Sequence, residues 1–505
     1  MAPFIGNVAD HTGVLTTLGG AVCFFFLLKY ATAGPRAAVA PLFKVNHDPS
    51  VKFGHKSISS IVAYTYPRFR EQVFRLKEHF GEIVVIPPKF VDELKAAPET
   101  VLSFQYLARE RFFARYTLLV SLVDHPDDNT VIKSIQNDLT KHLGKVVADV
   151  EEEVSYAFAS EIEACEEWTP IFPAHSLLRV IALASGRIFV GSSLNRNKDY
   201  LDCIVNFTID SMMGGEALRA YPSFLRPLAQ WWIPGLKRSR AKLQAMKRLI
   251  CPIIKQRVAA KGNKASQVPD MLTWNINNSP PKLVSDIDYQ AHNQLIVSAA
   301  AIHTTNMQLS HALFDLAAHP EYIDPLREEV AAVIAAEPSG TITKTSMPKL
   351  RKLDSFMKES QRTNPLGLLT FERRVMSDLT LSNGIQIPKG NYIGTPASAI
   401  ARDPDFWHQP NVFDAFRFER LRREPGADNK HQFVTTGIDS LYFGHGKHAC
   451  PGRFFAAYEI KLILIHLIMK YDVKLPDGEA RPANIEMNSG VMANPTKTIL
   501  LRKRA

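Results

Sequence analysis

The chain has 505 residues and a formal net charge of +10, and its five cysteines, Cys23, Cys165, Cys203, Cys251 and Cys450, are widely scattered. That cysteine pattern excludes a disulfide framework or a zinc site and argues for a reducing compartment. The basic residues lack the clustered stripe of a nucleic-acid reader, and a membrane surface or an acidic protein partner accounts for them better.

Length alone suggests about three domains. No boundary, internal repeat or low-complexity segment supports that division, so one large, mostly helical domain is expected. Residues Thr12 to Leu28 carry no charge and include Val14, Leu15, Leu18, Val22, Phe24, Phe25, Phe26 and Leu27. Crossing hydrocarbon takes about 20 residues, or about 17 at the short end, so the span is marginal. Asp10 precedes it, and Lys29, Arg36, Lys44, Lys52 and Lys56 follow. By the positive-inside rule the body of the chain then faces the cytosol. A cleaved signal peptide would carry its charge before the apolar run. Residues 1–35 are therefore read as an uncleaved single-pass anchor with its hinge, and residues 36–505 as the globular body.

From Val51 to Val101, helical spacing (Phe69, Val73, Leu76, Phe80) alternates with β-like runs such as Glu82-Ile83-Val84-Val85-Ile86, predicting a small mixed sheet ahead of the helical body. Phe104 to Val120 is rich in aromatics, most of which read as core, and Asn129 to Leu143 has helical spacing. Tyr221 to Pro227 and Trp231 to Pro234 are apolar and punctuated by proline, and Lys237, Arg238, Arg240, Lys242, Lys247 and Arg248 follow. Aromatics beside cations suit a membrane interface; a solvated basic helix packed by its apolar face fits nearly as well. Lys261 to Lys282 reads as a long surface loop. Ser285 with Asp288 makes a capping box, and no proline or glycine interrupts the chain until Pro320. A helix of about 30 residues, about 45 Å long, is predicted there. Its middle, Ala299-Ala300-Ala301-Ile302-His303-Thr304-Thr305, places small side chains before hydroxyls. Further on, Glu359 and Arg362 share a helical face at i, i+3. Phe371 to Val375 and Asn383 to Gly390 read as strand, turn, strand.

Near the end stands Phe443-Gly444-His445-Gly446-Lys447-His448-Ala449-Cys450-Pro451-Gly452-Arg453, followed by an apolar helical run to Lys470. The glycines allow a loop to lie flat against a planar group, and Pro451 suits a first helical turn. Cys450 would then face a helix N-terminus, whose partial positive charge favours a thiolate. Three readings are open: a small buried hydrophobe, a nucleophile with His448 as its base, and the axial ligand of a haem iron, where thiolate donation favours O–O cleavage.

Phe443, Gly446, His448, Cys450 and Gly452 match, in order and spacing, the signature Phe-x-x-Gly-x-(His or Arg)-x-Cys-x-Gly, and by it the chain resembles the cytochrome P450 family. The resemblance implies a mainly α fold with small β-sheets, haem b as cofactor and Cys450 as the iron ligand. Phe443, Gly446 and Gly452 would form the haem loop, with His448 and, by its spacing to the Asn383-Gly384 turn, Arg374 as propionate donors. Glu359, Arg362 and Arg417 would make a structural triad, while Thr304 and His303 would serve oxygen activation and proton delivery. The family's Trp-x-x-x-Arg is missing, and Lys133 or Lys141 is the substitute expected from position. Ala-Ala-Ile-His-Thr-Thr departs from the family's Ala/Gly-Gly-x-Asp/Glu-Thr-Thr at Ala301 and His303, and resembles filamentous-fungal monooxygenases of secondary metabolism of the ent-kaurene oxidase type. The function implied is a microsomal haem-thiolate monooxygenase acting on a terpenoid, meroterpenoid, polyketide or indole derivative. It would be anchored in the endoplasmic reticulum membrane and supplied by NADPH-cytochrome P450 reductase, with cytochrome b5 as a further candidate donor. No flavin or nicotinamide fingerprint occurs in the chain. The alternatives are a haem-thiolate isomerase or dehydratase, and a non-enzymatic membrane haem binder.

Overall fold

The computed structural model describes residues 42–43, 58–78, 81–121, 128–162, 164–261 and 268–504. The anchor expected over residues 1–35 lies outside them, and among the described residues no helix is long and apolar enough to cross a membrane.

The helical body is built from α1 (Ile58–Phe69), α2 (Phe104–Arg111), α3 (Thr140–Glu161), α4 (Pro173–Val190), α5 (Lys198–Arg219), α6 (Pro234–Ala259), α7 (Ile287–Ala318), α8 (Ile323–Ala335), α9 (Arg351–Thr363) and α10 (Arg453–Lys470). One apolar cluster joins most of them, with Val150 from α3, Ile181 from α4, Phe207 from α5, Leu309 from α7 and Leu464 from α10 all buried in it. A helix buried on most of its circumference must be apolar on most sides. α7 meets that condition through Leu295, Ile302, Leu309 and Leu313, each 0% exposed. It is 32 residues long.

Two local expectations change. The cap of α7 is Asp286, whose side chain accepts the Tyr289 N–H at 3.0 Å. Ser285 therefore lies before the cap, and Asp288 pairs with Lys247 at 2.5 Å. The stretch from Lys261 to Lys282 is only partly loop, because Met271–Asn278 is helical. Its cap, Asp270, accepts the Thr273 N–H at 2.9 Å and holds the Arg257 guanidinium by two hydrogen bonds of 2.8 and 2.9 Å. Residues 262–267 of that stretch lie outside the described residues.

The main sheet flanks the helices. It contains β1 (Leu42–Phe43), β2 (Phe74–Glu78), β3 (Gly81–Val85), β4 (Leu102–Ser103), β5 (Thr370–Val375) and β6 (Tyr392–Thr395), in the order β1-β2-β3-β6-β5-β4. β3 and β6 run parallel, with Val84 opposite Ile393, and β5 lies antiparallel to both β6 and β4, with Arg374 opposite Tyr392 on one side and Ser103 on the other. Between β5 and β6 the chain turns at Gly384, whose φ of 82° is one that glycine adopts without strain. Small two- and three-stranded sheets complete a mainly helical fold.

Candidate active site

α10 starts directly after the glycine loop, so its first N–H groups lack intrahelical acceptors and point towards the preceding turn. Cys450 lies there. The N–H groups of Gly452 and Arg453 donate to its sulfur and, with the Arg453 charge, pull its pKa down. Burial opposes them and prevails, so the thiol stands above its ordinary value rather than below it. The helix N-terminus expected to make a thiolate thus offsets burial without overcoming it. A metal cation in the proton's place would complete the balance.

The loop is held from behind. The Cys450 N–H donates to Phe443 O at 2.7 Å, and Arg453 Nη1 donates to Cys450 O at 2.7 Å. The Phe443 ring packs edge-on against Phe433 with centroids 5.3 Å apart. Gly446 has a φ of 71°, and a Cβ there would come within 2.6 Å of Lys95 O, so the close approach to Lys95 requires glycine. At Gly452 a Cβ would meet nothing within 4 Å: the space beside the cysteine is open, and the missing side chain leaves it so.

The polar groups around this loop fit a flat cofactor bearing carboxylates. His448 Nε2 and Arg453 Nε are buried with no hydrogen-bond partner among the described residues. His448 Nε2 approaches Glu99 Oε1 to 3.3 Å, yet neither atom makes a hydrogen bond, so proximity there is not pairing. Burial holds the His448 pKa below its ordinary value, and the nearby positive charge of Arg373 adds to this. Arg373 is itself buried, its pKa brought down to about 10 by desolvation, with Nη1 donating to Glu372 O at 2.7 Å.

Arg374, the expected propionate donor, is placed elsewhere. Its guanidinium lies 4.5 Å from the Tyr392 ring and 3.4 Å from Glu110 Oε2, which also accepts the Tyr392 hydroxyl at 2.6 Å. The pleat explains the difference, since along β5 Phe371, Arg373 and Val375 are buried while Arg374 is not. Counting that alternation back from Val375 puts Arg373, and not Arg374, on the buried face. Lys133 and Lys141 are both exposed, at either end of the π-helical segment Ser134–Leu139 that leads into α3. Segments of that kind recur at functional sites.

Glu359, Arg362 and Arg417 meet in one buried cluster. Arg362 donates to both Glu359 oxygens at 2.8 and 2.7 Å, and Arg417 Nε lies 3.2 Å from each. The remaining Arg362 hydrogens go to backbone oxygens, Ala401 O at 2.6 Å, Pro410 O at 2.7 Å and Val412 O at 3.3 Å. Both arginines thereby fasten the segment that leads to the cysteine loop. Sequence reasoning missed Lys358 beside them, a buried amine that donates to Gln432 O and Thr435 O at 2.8 and 3.1 Å.

On α7 the chain opens where the sequence placed its small residues. Ala300 and Thr304, one turn apart, are exposed in the middle of this otherwise buried helix. The Thr304 hydroxyl donates to Ala300 O at 2.7 Å. His303 is directed elsewhere, with Nε2 2.9 Å from Val205 O on α5, and burial lowers its pKa. A carbonyl only accepts, so Nε2 carries the hydrogen. The structure therefore separates His303 from Thr304.

The cytochrome P450 family profile matches residues 129–502. The chain is 40% identical to the cytochrome P450 monooxygenase prx8 of Penicillium rubens over 100% of this chain and 93% of that protein. It is 38% identical to the cytochrome P450 monooxygenase BOA4 of Botryotinia fuckeliana over 91% of this chain and 92% of the relative. The ent-kaurene oxidase of Gibberella intermedia is 35% identical over 88% of this chain and 83% of its own. With the family profile over most of its length and relatives covered nearly end to end, the chain belongs to the cytochrome P450 family and is a monooxygenase carrying haem on a cysteine thiolate.

Proposed function

We propose that this protein inserts one oxygen atom of O2 into an unactivated C–H bond of a hydrophobic secondary metabolite, the other atom leaving as water. Electrons come from NADPH-cytochrome P450 reductase, with cytochrome b5 as a further donor, at the cytosolic face of the endoplasmic reticulum membrane. The observation that carries this reading is the Ala300–Thr304 face, a small residue and a hydroxyl exposed midway along a buried helix of 32 residues. Haem on a thiolate supplies the oxygen chemistry, the sulfur's electron donation favouring O–O cleavage.

The chain's own residues do the rest. Cys450 holds the iron, and Phe443, Gly446 and Gly452 shape the loop against the ring. His448 and Arg373, in place of Arg374, donate to the carboxylates. Ala300 leaves room for substrate, and Thr304 Oγ1, its own hydrogen given to Ala300 O, offers lone pairs at the open face that hold a water from which a proton can be passed on. His303, occupied by Val205 O, keeps α7 against α5. One relative is named for oxidising ent-kaurene, which supports a terpenoid among the candidate substrates, alongside a meroterpenoid, polyketide or indole derivative.

The test is turnover by membranes containing the full chain, reductase and NADPH against a panel of fungal terpenoid and polyketide intermediates, pre-screened by the Soret shift of displaced water. Products with one added oxygen are expected, and they should depend on reductase. Reductase-independent rearrangement of a panel member would overturn the reading. Cys450→Ser is expected to lose the red-shifted Soret band of the reduced, CO-treated protein; retention of the band would remove Cys450 from the iron.

A further inference from the structure

α7 carries a polar stripe through its apolar surroundings. At about 100° per residue, Ala300, Thr304, Gln308, His311 and Asp315 fall within about 80° of the helix circumference, on the face that is open at Ala300 and Thr304. Past Thr304 the stripe is buried, with Gln308 3%, His311 0% and Asp315 1% exposed. From Thr304 to Asp315 it runs about 16 Å.

Its far end is tied to the surface. The Asp315 carboxylate accepts from Ser360 at 2.5 Å, from Asn364 at 3.0 Å and from Arg481. Arg481, half-buried, also donates to Asn484 Oδ1 at 3.0 Å and reaches His311 Nδ1 at 3.4 Å. Asn484, with Thr363, Glu486 and Val491, lines a pocket of about 460 Å³ between α1, the end of α9 and the hairpin of Ile485–Met487 and Gly490–Met492.

The middle of the stripe is unpaired. A guanidinium only donates, so His311 Nδ1 accepts and Nε2 carries the ring's hydrogen. The ring stays neutral, burial and the Arg481 charge holding its pKa down to about 3. The Val491 backbone faces the ring without closing a hydrogen bond to Nε2, and among the described residues Gln308 Oε1 and Nε2 have no partner either. An unpaired buried group costs about 1–3 kcal/mol, and buried water making about three hydrogen bonds is the usual remedy.

The reaction proposed above needs protons at the near end. Giving one atom of O2 to substrate and the other to water consumes two protons with the two electrons from reductase, and His303 is turned away to Val205. We propose that a file of water held by Gln308 and His311 carries these protons from the pocket beside Asn484 to Thr304. Each water passes one proton towards Thr304 and takes one from the water behind it, the last being replaced from solvent at the pocket. Gln308 and His311 position the waters and keep their own charge. This inference rests on the monooxygenase reading of the Thr304 face.

The test compares the haem-loaded full chain with Gln308→Leu, His311→Leu, His311→Gln and Ser310→Ala, using reductase, NADPH and a panel compound that the parent oxidises. Leucine fills the amide's place and breaks no protein hydrogen bond, so Gln308→Leu should load haem as the parent does. Its product per NADPH should fall several-fold, with hydrogen peroxide making up the difference. Added hydrogen peroxide brings the oxygen atom together with its two electrons and two protons, and with it Gln308→Leu should form product at the parent's rate. His311→Gln keeps a donor and should retain more coupling than His311→Leu. Ser310→Ala removes another buried, unpartnered group from a different face of α7 and should leave coupling unchanged. In crystals of the haem-loaded parent, ordered waters are expected against Gln308 and His311 Nε2, and Gln308→Leu should lose them. Parent-like coupling in Gln308→Leu, equal uncoupling in Ser310→Ala, loss of the peroxide-driven product in Gln308→Leu, or dry packing around Gln308 in the parent would each overturn the proposal. A parent that forms no product with either oxidant would overturn the monooxygenase reading and this proposal with it, and the crystal waters separate that failure from a dry stripe.

Discussion

At the scale of single residues, Arg373 and Arg374 face opposite sides of β5, and that period decides which guanidinium reaches the haem loop. Arg373 acts electrostatically on His448, whereas Arg374 is committed to Glu110 and Tyr392. A lost hydrogen bond to a charged group costs about 1.5–3 kcal/mol, so Arg373→Ala should weaken haem binding by about 10- to 100-fold. Arg374→Ala should leave haem occupancy near that of the parent. Haem-to-protein ratios after gel filtration decide, and the reverse ranking would restore Arg374 as the donor. The buried cluster of Glu359, Arg362 and Arg417 sets a larger effect. Removing one partner leaves a charge uncompensated at about 3–5 kcal/mol, so Arg362→Ala should yield little haem-loaded protein, while normal yield and turnover would show that the cluster does not hold the loop. Both assignments began as spacings in the sequence. The i, i+3 pair was legible because a helix repeats locally, but counting back from the Asn383-Gly384 turn gives a spacing and not a face, and the pleat of β5 buries Arg373 rather than Arg374.

At the scale of elements, α7 could be read from sequence because nothing between Ser285 and Pro320 breaks a helix, whereas its cap and the rotation of its side chains were less legible. The cap moved one residue, to Asp286, because Asp288 is occupied by Lys247 on α6. The rotation set Thr304 on the open face and His303 against Val205 on α5, a distinction that only the packed neighbour makes. Thr304→Ala should therefore uncouple the enzyme: NADPH consumption continues while product falls and hydrogen peroxide rises. His303→Ala should keep coupling and lower stability, by about 0.5–1.5 kcal/mol for the lost hydrogen bond to Val205 O. Peroxide yield per NADPH separates the two, and uncoupling in both variants would return His303 to the proton path. The π-helical segment Ser134–Leu139 had no signal in the sequence, because its i, i+5 bonding changes the spacing by one residue within an otherwise ordinary helical pattern.

At the scale of the whole molecule, the mainly helical fold was legible from its apolar periodicity, while the arrangement of its buried ionisable groups was not, since burial is a property of the packed chain. That arrangement predicts how stability varies with pH. His466, its ring tilted against Phe158 at 4.4 Å between ring centroids, has its pKa brought down from 6.5 to about 4, and burial brings His311 to about 3. Below pH 6.5 the unfolded chain takes up protons that these rings refuse in the folded state, so stability is lost as pH falls from 6.5 towards 4. Glu459 acts in the opposite sense. Fully buried, with Oε1 accepting from Ser185 at 2.6 Å and Oε2 without a partner among the described residues, its carboxyl is raised from 4.5 to about 8. The folded protein keeps this proton where the unfolded chain has released it, so stability falls as pH rises from 4.5 to about 8. The two windows overlap between pH 4.5 and 6.5, where they partly cancel. Glu459→Gln, which keeps the shape and removes the titration, should match the parent near pH 4.5 and exceed its stability increasingly up to pH 8. His466→Leu should instead flatten the acid limb and leave the alkaline limb as it was. Denaturant midpoints of the haem-loaded protein across this range measure both slopes. A Glu459→Gln curve parallel to the parent's at every pH would mean that Glu459 is ionised in the folded protein, with its charge satisfied at the α4–α10 contact by groups other than Ser185.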